Sequence, residues 1–181
     1  MNKSIDEKLL KKIRRIKLLI LDVDGVLTDG RIIIDDLGNE TKKFDVRDGH
    51  GLRLLMRYGI DIVLLTGRKS KAVEYRAKDL GIEEVHQNAK NKVEVLEGIL
   101  QKRNIDGDSV AYIGDDIIDV PVFLKVGFSV AVADAVIYAR EAADYITEKR
   151  GGRGAVREIC EMILKVQEKW GEIASRYDLN Y

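Results

Sequence analysis

The sequence of 181 residues contains one cysteine, one proline and two histidines, and only 6% of its residues are aromatic. The lone Cys160 cannot form an internal disulfide, which excludes a disulfide-stabilised secreted domain and favours a reducing compartment. No apolar run is long enough to cross a membrane, and the stretch 1–6 lacks the apolar segment of a secretory signal. We therefore expect a soluble cytoplasmic protein with no membrane partner.

Net charge is also absent, since 31 basic residues balance 31 acidic ones. This balance gives no bulk attraction to nucleic acid. The basic residues between Lys8 and Lys17 lie in a short amphipathic helical pattern without interleaved aromatics, so a solvated helix face explains them better than a nucleic-acid site. The length, with 45% apolar residues, predicts a single domain over 1–181.

Short apolar runs alternate with helical patterns along the chain. Ser4 and Glu7 fit a capping box for a first helix that runs to about Lys17. Buried strands are predicted at 18–21, 60–65, 109–113 and 128–132, and helices at 50–58, 70–80, 90–103 and 117–126. This alternation predicts an α/β fold of the Rossmann-like kind, with a mostly parallel sheet and helices on both faces.

One segment departs from the alternation. The stretch 30–46 contains two polar-apolar runs around the turn-forming residues 36–39, which predicts a β-hairpin insertion after the first strand. The closing helix carries Cys160 on its apolar face, so this cysteine is expected in the core and not as a nucleophile. The tail over 171–181 is polar and is predicted to have no core role.

Polar residues follow the predicted strands at their carboxyl ends, where open α/β sheets bind ligands. Asp22 and Asp24 follow the first strand, Thr66 follows the second, Lys92 opens a helix, and Asp115 begins the run Asp-Asp-Ile-Ile-Asp after the third. Each has an ordinary alternative, such as a helix cap for Thr66 or a solvated side chain for Lys92. The order of these residues along the chain is a more specific signal of a functional site than any one of the residues alone.

The ordered set resembles the motifs of the haloacid dehalogenase-like phosphatase superfamily. These are Asp-x-Asp-Gly-x-Leu-Thr at 22–28, Thr-Gly-Arg at 66–68, Lys92, and Gly-Asp-Asp-x-x-Asp at 114–119. Further stretches at 47–49, 129–135 and 151–158 resemble the small capless subgroup that includes the 3-deoxy-D-manno-octulosonate 8-phosphate (Kdo 8-phosphate) phosphatases. The resemblance extends from residue 18 to about 167 and implies the same fold without a separate cap domain.

The resemblance also implies a mechanism. Asp22 would be the nucleophile that forms an aspartyl-phosphate, and Asp24 the general acid and base. Mg²⁺ would be bound by the side chains of Asp22 and Asp115 and by the carbonyl of Asp24, while Thr66 and Lys92 would bind the phosphoryl oxygens.

Six further residues receive weaker assignments. Arg68 and Thr28 are the expected substrate-binding residues, although a plain surface arginine is an open alternative for Arg68. Asp116 and Asp119 would support the metal site or Lys92. Arg153 and Arg157 are additional candidates for a substrate carboxylate, and neither histidine has a second ligand at metal-binding spacing.

The implied activity is Mg²⁺-dependent hydrolysis of Kdo 8-phosphate to Kdo and inorganic phosphate in lipopolysaccharide biosynthesis. The alternative within the same class is a nine-carbon sialic-acid-type 9-phosphate, and a catalytically silent binding module is disfavoured because the three key aspartates are present. The resemblance further implies a homotetramer in which neighbouring subunits complete each site, through the hairpin and partly through the tail.

Overall fold

A six-stranded parallel sheet forms the centre of the protein in a computed structural model that describes residues 6–179. The strands in chain order are β1 (Leu18–Leu21), β2 (Ile33–Ile34), β3 (Glu40–Thr41), β4 (Asp61–Leu65), β5 (Glu84–His86), β6 (Val110–Gly114), β7 (Phe128–Ala131) and β8 (Tyr145–Ile146). The large sheet has the order β5-β4-β1-β6-β7-β8, and β2 pairs with β3 in a separate two-stranded sheet. The predicted α/β class with a parallel sheet is confirmed.

Within residues 6–179, eight α-helices connect and flank these strands. They are α1 (Glu7–Arg14), α2 (Val46–Arg57), α3 (Lys71–Leu80), α4 (Lys92–Arg103), α5 (Val120–Phe123), α6 (Ile137–Ala142), α7 (Ala155–Val166) and α8 (Trp170–Arg176), with single 3₁₀ turns at Gly107–Ser109 and Ile117–Asp119. Helices α1, α2, α7 and α8 pack in one connected group, and α4, α5 and α6 in another. Every residue of β1, β6 and β7 is buried, so both faces of the sheet are covered.

The first helix differs in detail from its prediction. Ser4 lies outside the described residues, and within them Asp6 caps α1 by accepting a hydrogen bond from the Leu9 N–H at 2.8 Å. The helix ends at Arg14 instead of near Lys17, because the Lys17 N–H donates to the Ser109 carbonyl at 2.8 Å and leads the chain into the sheet.

The tail is partly core, which corrects its predicted lack of a core role. Ile173 and Ala174 on α8 are 2% and 5% exposed, and they follow Trp170 at helical spacing against α7. The sequence pattern also missed α6 and β8, which are too short to show a clear period. The helix predicted over 117–126 is confined to a 3₁₀ turn and the single turn of α5.

The hairpin predicted over 30–46 is present. Strands β2 and β3 pair antiparallel, with Ile33 opposite Thr41, and Gly38 takes φ +80° in the connecting turn. Asp35 stabilises this turn by accepting from the N–H groups of Leu37 and Asn39. Within residues 6–179 no separate cap domain accompanies the sheet, and in the same range no helix is long and apolar enough to span a bilayer.

Candidate active site

Strand register brings the predicted site residues together. β1 lies between β4 and β6, where the strand order reverses direction, and Leu21 is level with Leu64 on one side and Ile113 on the other. The residues after these strands therefore meet at one edge of the sheet, in the crevice where such sheets bind ligands.

Asp22 lies at the centre of this edge and is only 4% exposed. Its Oδ1 accepts a hydrogen bond from the Val23 N–H at 2.7 Å, and its Oδ2 lies 2.9 Å from Lys92 Nζ. Burial raises the pKa of Asp22 to about 6, with Lys92 acting in the opposite direction. A buried carboxylate fixed by a cation is suited to in-line attack on a phosphoryl group.

Lys92 is held by two further groups. Its Nζ donates to Asp119 Oδ1 at 2.7 Å and to the Tyr112 hydroxyl at 3.3 Å. Burial acts to lower the pKa of Lys92, but the negative charges of Asp22 and Asp119 outweigh it, so the net shift is upward. Lys92 therefore stays charged and supplies a fixed positive charge beside Asp22.

Three carboxylates form a group that could hold a cation. Ligand oxygens of Asp22, Asp115 and Asp119 all lie within 4.8 Å of one another. Burial, followed by repulsion from Asp22 and Asp119, raises the pKa of Asp115 to about 8. An excess of buried negative charge on oxygen donors is the chemistry that Mg²⁺ binds, so the residues fit this metal.

Within this group, Asp119 is already fully engaged. Its Oδ1 accepts from Lys92 and Tyr112, and its Oδ2 accepts from the N–H groups of Asp115 and Asp116 at 2.9 and 3.2 Å. Asp22 and Asp115 are left as the side chains available to a metal. The geometry of Asp119 suits the supporting position predicted for it.

A glycine is required where the loop after β1 turns. Gly25 has φ +88°, and a Cβ at this position would lie 2.0 Å from Asp115 Oδ2. The glycine-rich segment 151–154 packs on the same loop, since the Gly152 N–H donates to the Val26 carbonyl at 2.8 Å. A Cβ on Gly151 would lie 1.6 Å from the Gly25 carbonyl oxygen. This segment therefore supports the loop that carries Asp22 and Asp24.

Asp24 lies beside residues of the hairpin that the sequence analysis did not select. Lys42 Nζ donates to Asp24 Oδ1 and lies 3.1 Å from Glu40 Oε1. Arg68 Nη2 donates to Glu40 Oε2 at 2.5 Å, and its Nε lies 3.8 Å from Asp24 Oδ2. The hydrogen bond from Arg68 lowers the pKa of Glu40 to about 2. Lys42 lies two residues after Glu40 in the hairpin, and no motif in the sequence marks it.

Three other predicted site residues, Thr66, Thr28 and Asp116, accept hydrogen bonds from nearby backbone N–H groups. Thr66 is buried at the end of β4, where its Oγ1 accepts from the Arg68 N–H at 3.3 Å. The Thr28 hydroxyl is also buried, and it bonds within the loop to the N–H groups of Gly25 and Gly30. Asp116 caps the 3₁₀ turn by accepting from the Ile117 N–H. The substrate contact predicted for Thr28 stays a prediction.

Of the two additional arginines, Arg153 is largely exposed and lies 3.7 Å from Asp29, whereas Arg157 pairs with Glu161 along α7. Asp48 was not among the predicted site residues. Its side chain is 1% exposed and accepts hydrogen bonds from the N–H groups of Gly154 and Arg157. It caps α7 across the fold and so anchors the glycine-rich segment. Cys160 is buried, as predicted.

Comparison with known proteins decides the family. A model described as haloacid dehalogenase-like hydrolase matches residues 82–159. The 3-deoxy-D-manno-octulosonate 8-phosphate phosphatase KdsC of Escherichia coli (strain K12) is 48% identical over 168 residues, which are 93% of this chain and 89% of that protein. This chain belongs to the haloacid dehalogenase-like hydrolase family.

Solved structures extend the likeness of this hydrolase to the whole fold. The 3-deoxy-D-manno-octulosonate 8-phosphate phosphatase of Yersinia pestis is 45% identical with a TM-score of 0.89, covering 91% of this chain and 89% of its own. The corresponding phosphatase of Moraxella catarrhalis, in complex with magnesium, phosphate and KDO, is 43% identical with a TM-score of 0.91, covering 93% and 97%. The resemblance inferred from the motifs is confirmed.

Proposed function

We propose that this hydrolase is a Mg²⁺-dependent phosphatase that converts Kdo 8-phosphate to Kdo and inorganic phosphate in lipopolysaccharide biosynthesis. The observation that carries the proposal is the group formed by buried Asp22 and Lys92 with half-buried Asp115 at one edge of the sheet. It combines a carboxylate nucleophile, a fixed cation and oxygen donors for a metal. The relatives named for this substrate, one of them with magnesium, phosphate and KDO in its structure, support the same activity.

The reaction begins with attack of an Asp22 carboxylate oxygen on phosphorus. The bond between phosphorus and the sugar oxygen breaks, and Asp24 gives its proton to the departing oxygen. Asp24 then takes a proton from water, which attacks the aspartyl-phosphate and restores Asp22. The side chains of Asp22 and Asp115 and the carbonyl of Asp24 would hold Mg²⁺, which when bound reduces the repulsion between carboxylate and phosphate.

Thr66 and Lys92 are the proposed ligands of the phosphoryl oxygens. Both side chains are nearly inaccessible to solvent at the edge that carries Asp22. Donors fixed in a water-poor site stabilise the charge that spreads over these oxygens in the transition state. Asp119 and Tyr112 keep Lys92 in place, so the donor needs little reorganisation during the reaction.

Substrate selection is assigned to Arg68 and Thr28. Arg68 is the more accessible of the two, with its guanidinium turned toward Glu40 and Asp24. Its planar group can bind the carboxylate of a sugar acid through two hydrogen bonds. We expect the Arg68→Ala variant to lose more activity on the sugar acid than on a small phosphate ester. Equal losses of activity on both substrates would indicate that Arg68 has a structural role and does not bind the substrate.

The experiment that tests the proposal measures the release of inorganic phosphate from three substrates: Kdo 8-phosphate, a nine-carbon sialic-acid-type 9-phosphate and glucose 6-phosphate. The proposal expects the highest kcat/KM on Kdo 8-phosphate. Contacts between the enzyme and the parts of the sugar acid remote from the phosphate supply binding energy that stabilises the transition state at the reacting centre. A higher value on the nine-carbon substrate would favour the alternative. Excess chelator should abolish turnover and Mg²⁺ should restore it, so full activity in chelator would contradict the metal requirement.

The proposed assembly is a homotetramer in the cytoplasm, with each site completed by neighbouring hairpins. Ile32 and Ile34 on the hairpin are 55% and 62% exposed, which suits an apolar contact between copies. Free, buried Cys160 suits a reducing compartment. Light scattering should give a tetramer, and Ile34→Lys should reduce its mass, whereas Leu124→Lys, at another exposed site, should not. A fully active monomer would contradict the shared site.

A further inference from the structure

Lys42 carries a buried ammonium that the mechanism above does not use. The side chain is 1% exposed, and it pairs with Asp24 and Glu40. A buried cation is costly unless carboxylates compensate it, and removal of one partner leaves an unpaired charge. The position of Lys42 is therefore fixed by the same interaction that fixes Asp24.

The hairpin delivers Lys42 to this position through its strand period. Side chains two residues apart point to the same side of an extended chain, so Glu40 and Lys42 face Asp24 together. Thr41 and Lys43, on the opposite side, are exposed. Glu40 in turn accepts from Arg68, which places two carboxylates and two cations in one balanced cluster.

The two oxygens of Asp24 differ in their surroundings. Oδ1 accepts the hydrogen bond from Lys42 Nζ, whereas the buried Oδ2 accepts no hydrogen bond in the described structure, although Arg68 Nε lies 3.8 Å away. When a carboxyl group is held through one of its oxygens, its second oxygen points in a defined direction. Oδ2 is thus the oxygen with capacity to carry a proton to and from the reacting groups.

We propose that Lys42 is a positioning residue, which fixes Asp24 through Oδ1 so that Oδ2 is aimed at the leaving-group oxygen. Lys42 itself neither gives nor takes a proton. The proton moves from Asp24 Oδ2 to the sugar oxygen as the phosphorus–oxygen bond breaks, and a water proton returns to Oδ2 later. This inference rests on the phosphatase function proposed above.

The test exploits leaving groups that differ in their need for a proton. A sugar alkoxide must be protonated as it departs, whereas p-nitrophenolate departs readily without a proton. The parameter kcat/KM covers the steps through departure of the leaving group, so later hydrolysis of the aspartyl-phosphate does not enter. Lys42→Met should lower kcat/KM for Kdo 8-phosphate about 10- to 100-fold, because a misdirected acid loses only a part of the roughly 10²–10⁴-fold contribution of general acid catalysis. For p-nitrophenyl phosphate the loss should be about threefold or less.

Three companion variants make the result specific. Lys42→Arg should recover part of the lost rate, because it retains a cation. Asp24→Asn should show the same leaving-group pattern, and adding Lys42→Met to it should cause little further loss, since both act on one proton transfer. Lys43→Met, at the exposed neighbour, should resemble the wild type. If Lys42→Met does not fold, Lys42→Met combined with Glu40→Gln removes a carboxylate with the cation and provides the same comparison.

Equal losses on both substrates in a folded Lys42 variant would overturn the proposal and assign Lys42 to the stability of the hairpin. So would full additivity with Asp24→Asn. The wild-type protein tests the function separately: failure to hydrolyse Kdo 8-phosphate would contradict that function. The Lys42 comparison would then use whichever alkyl phosphate the wild type hydrolyses.

Discussion

Tyr112 donates its hydroxyl proton to Asp119 Oδ1 across 2.7 Å, and neither side chain is exposed to solvent. The same carboxylate oxygen accepts from Lys92. Burial raises the pKa of Tyr112 well above its ordinary value, so the hydroxyl remains a donor. A phenol that no sequence motif marks thus helps to hold the lysine beside Asp22.

Replacing Tyr112 by phenylalanine should therefore weaken both the fold and the site. The ring can keep its edge-on contact with Phe123, at 5.9 Å between centroids, so the lost hydrogen bond dominates. We expect a loss of about 1–3 kcal/mol in the free energy of unfolding and a reduced kcat/KM. Urea denaturation and steady-state kinetics measure the two effects. Exposed Tyr75 gives the control variant Tyr75→Phe, and a Tyr112→Phe protein that matched it would contradict this role.

Asp22→Asn should fold normally and lose essentially all activity. An amide keeps the shape of the side chain but cannot form the aspartyl-phosphate. Circular dichroism checks the fold and phosphate release checks the activity. A variant that kept even a tenth of the wild-type rate would exclude Asp22 as the nucleophile.

Mg²⁺ should raise the melting temperature of the wild-type protein, because a ligand that binds only the folded state stabilises it. Asp115→Asn should lose most of this rise, since Asp115 is one of the two side chains available to a metal. Asp36→Asn is the control, because Asp36 is exposed in the turn of the hairpin and is not part of the acidic group. Thermal unfolding over a range of Mg²⁺ concentrations measures both variants, and similar shifts in both would contradict the assignment.

Asp48→Ala should destabilise the protein by about 1–3 kcal/mol, because it leaves the N–H groups of Gly154 and Arg157 without their acceptor. The exposed Asp36→Ala variant serves as the control for loss of a carboxylate. Denaturant midpoints compare the two. Since the glycine-rich segment supports the catalytic loop, Asp48→Ala should also lower kcat, and an unchanged midpoint would contradict the capping role.

Glu40 should contribute a pH-dependent part of the stability. Its folded pKa, about 2, lies below the ordinary value of 4.5, so its contribution is complete above about pH 4.5 and is lost as the pH falls toward 2. The stability difference between wild type and Glu40→Gln should therefore be largest near neutral pH and shrink in acid. Urea denaturation between pH 7 and 3 measures it, with Glu97→Gln as an exposed control. A difference independent of pH would contradict the ion pair.

Much of the fold could be predicted because its signals are local. The apolar runs at 18–21 and 109–113 are long enough to show a buried strand, and polar residues follow them at once. Parallel strands bring such residues to one edge whatever the loops between them. The proximity of Asp22 and Asp115 was therefore predictable before any coordinates.

The sequence by itself determined the parallel sheet, the hairpin, and the set of polar residues at the strand ends, since each depends on neighbouring residues and a period. Tertiary structure alone decided the partners of these residues. Lys42 meets Asp24 from 18 positions away, and Asp48 meets Arg157 from 109 positions away. The short tail helix likewise gains its core role from packing against α7. No local period encodes such contacts, because whether a polar side chain is solvated or buried against an opposite charge depends on what the rest of the chain packs around it.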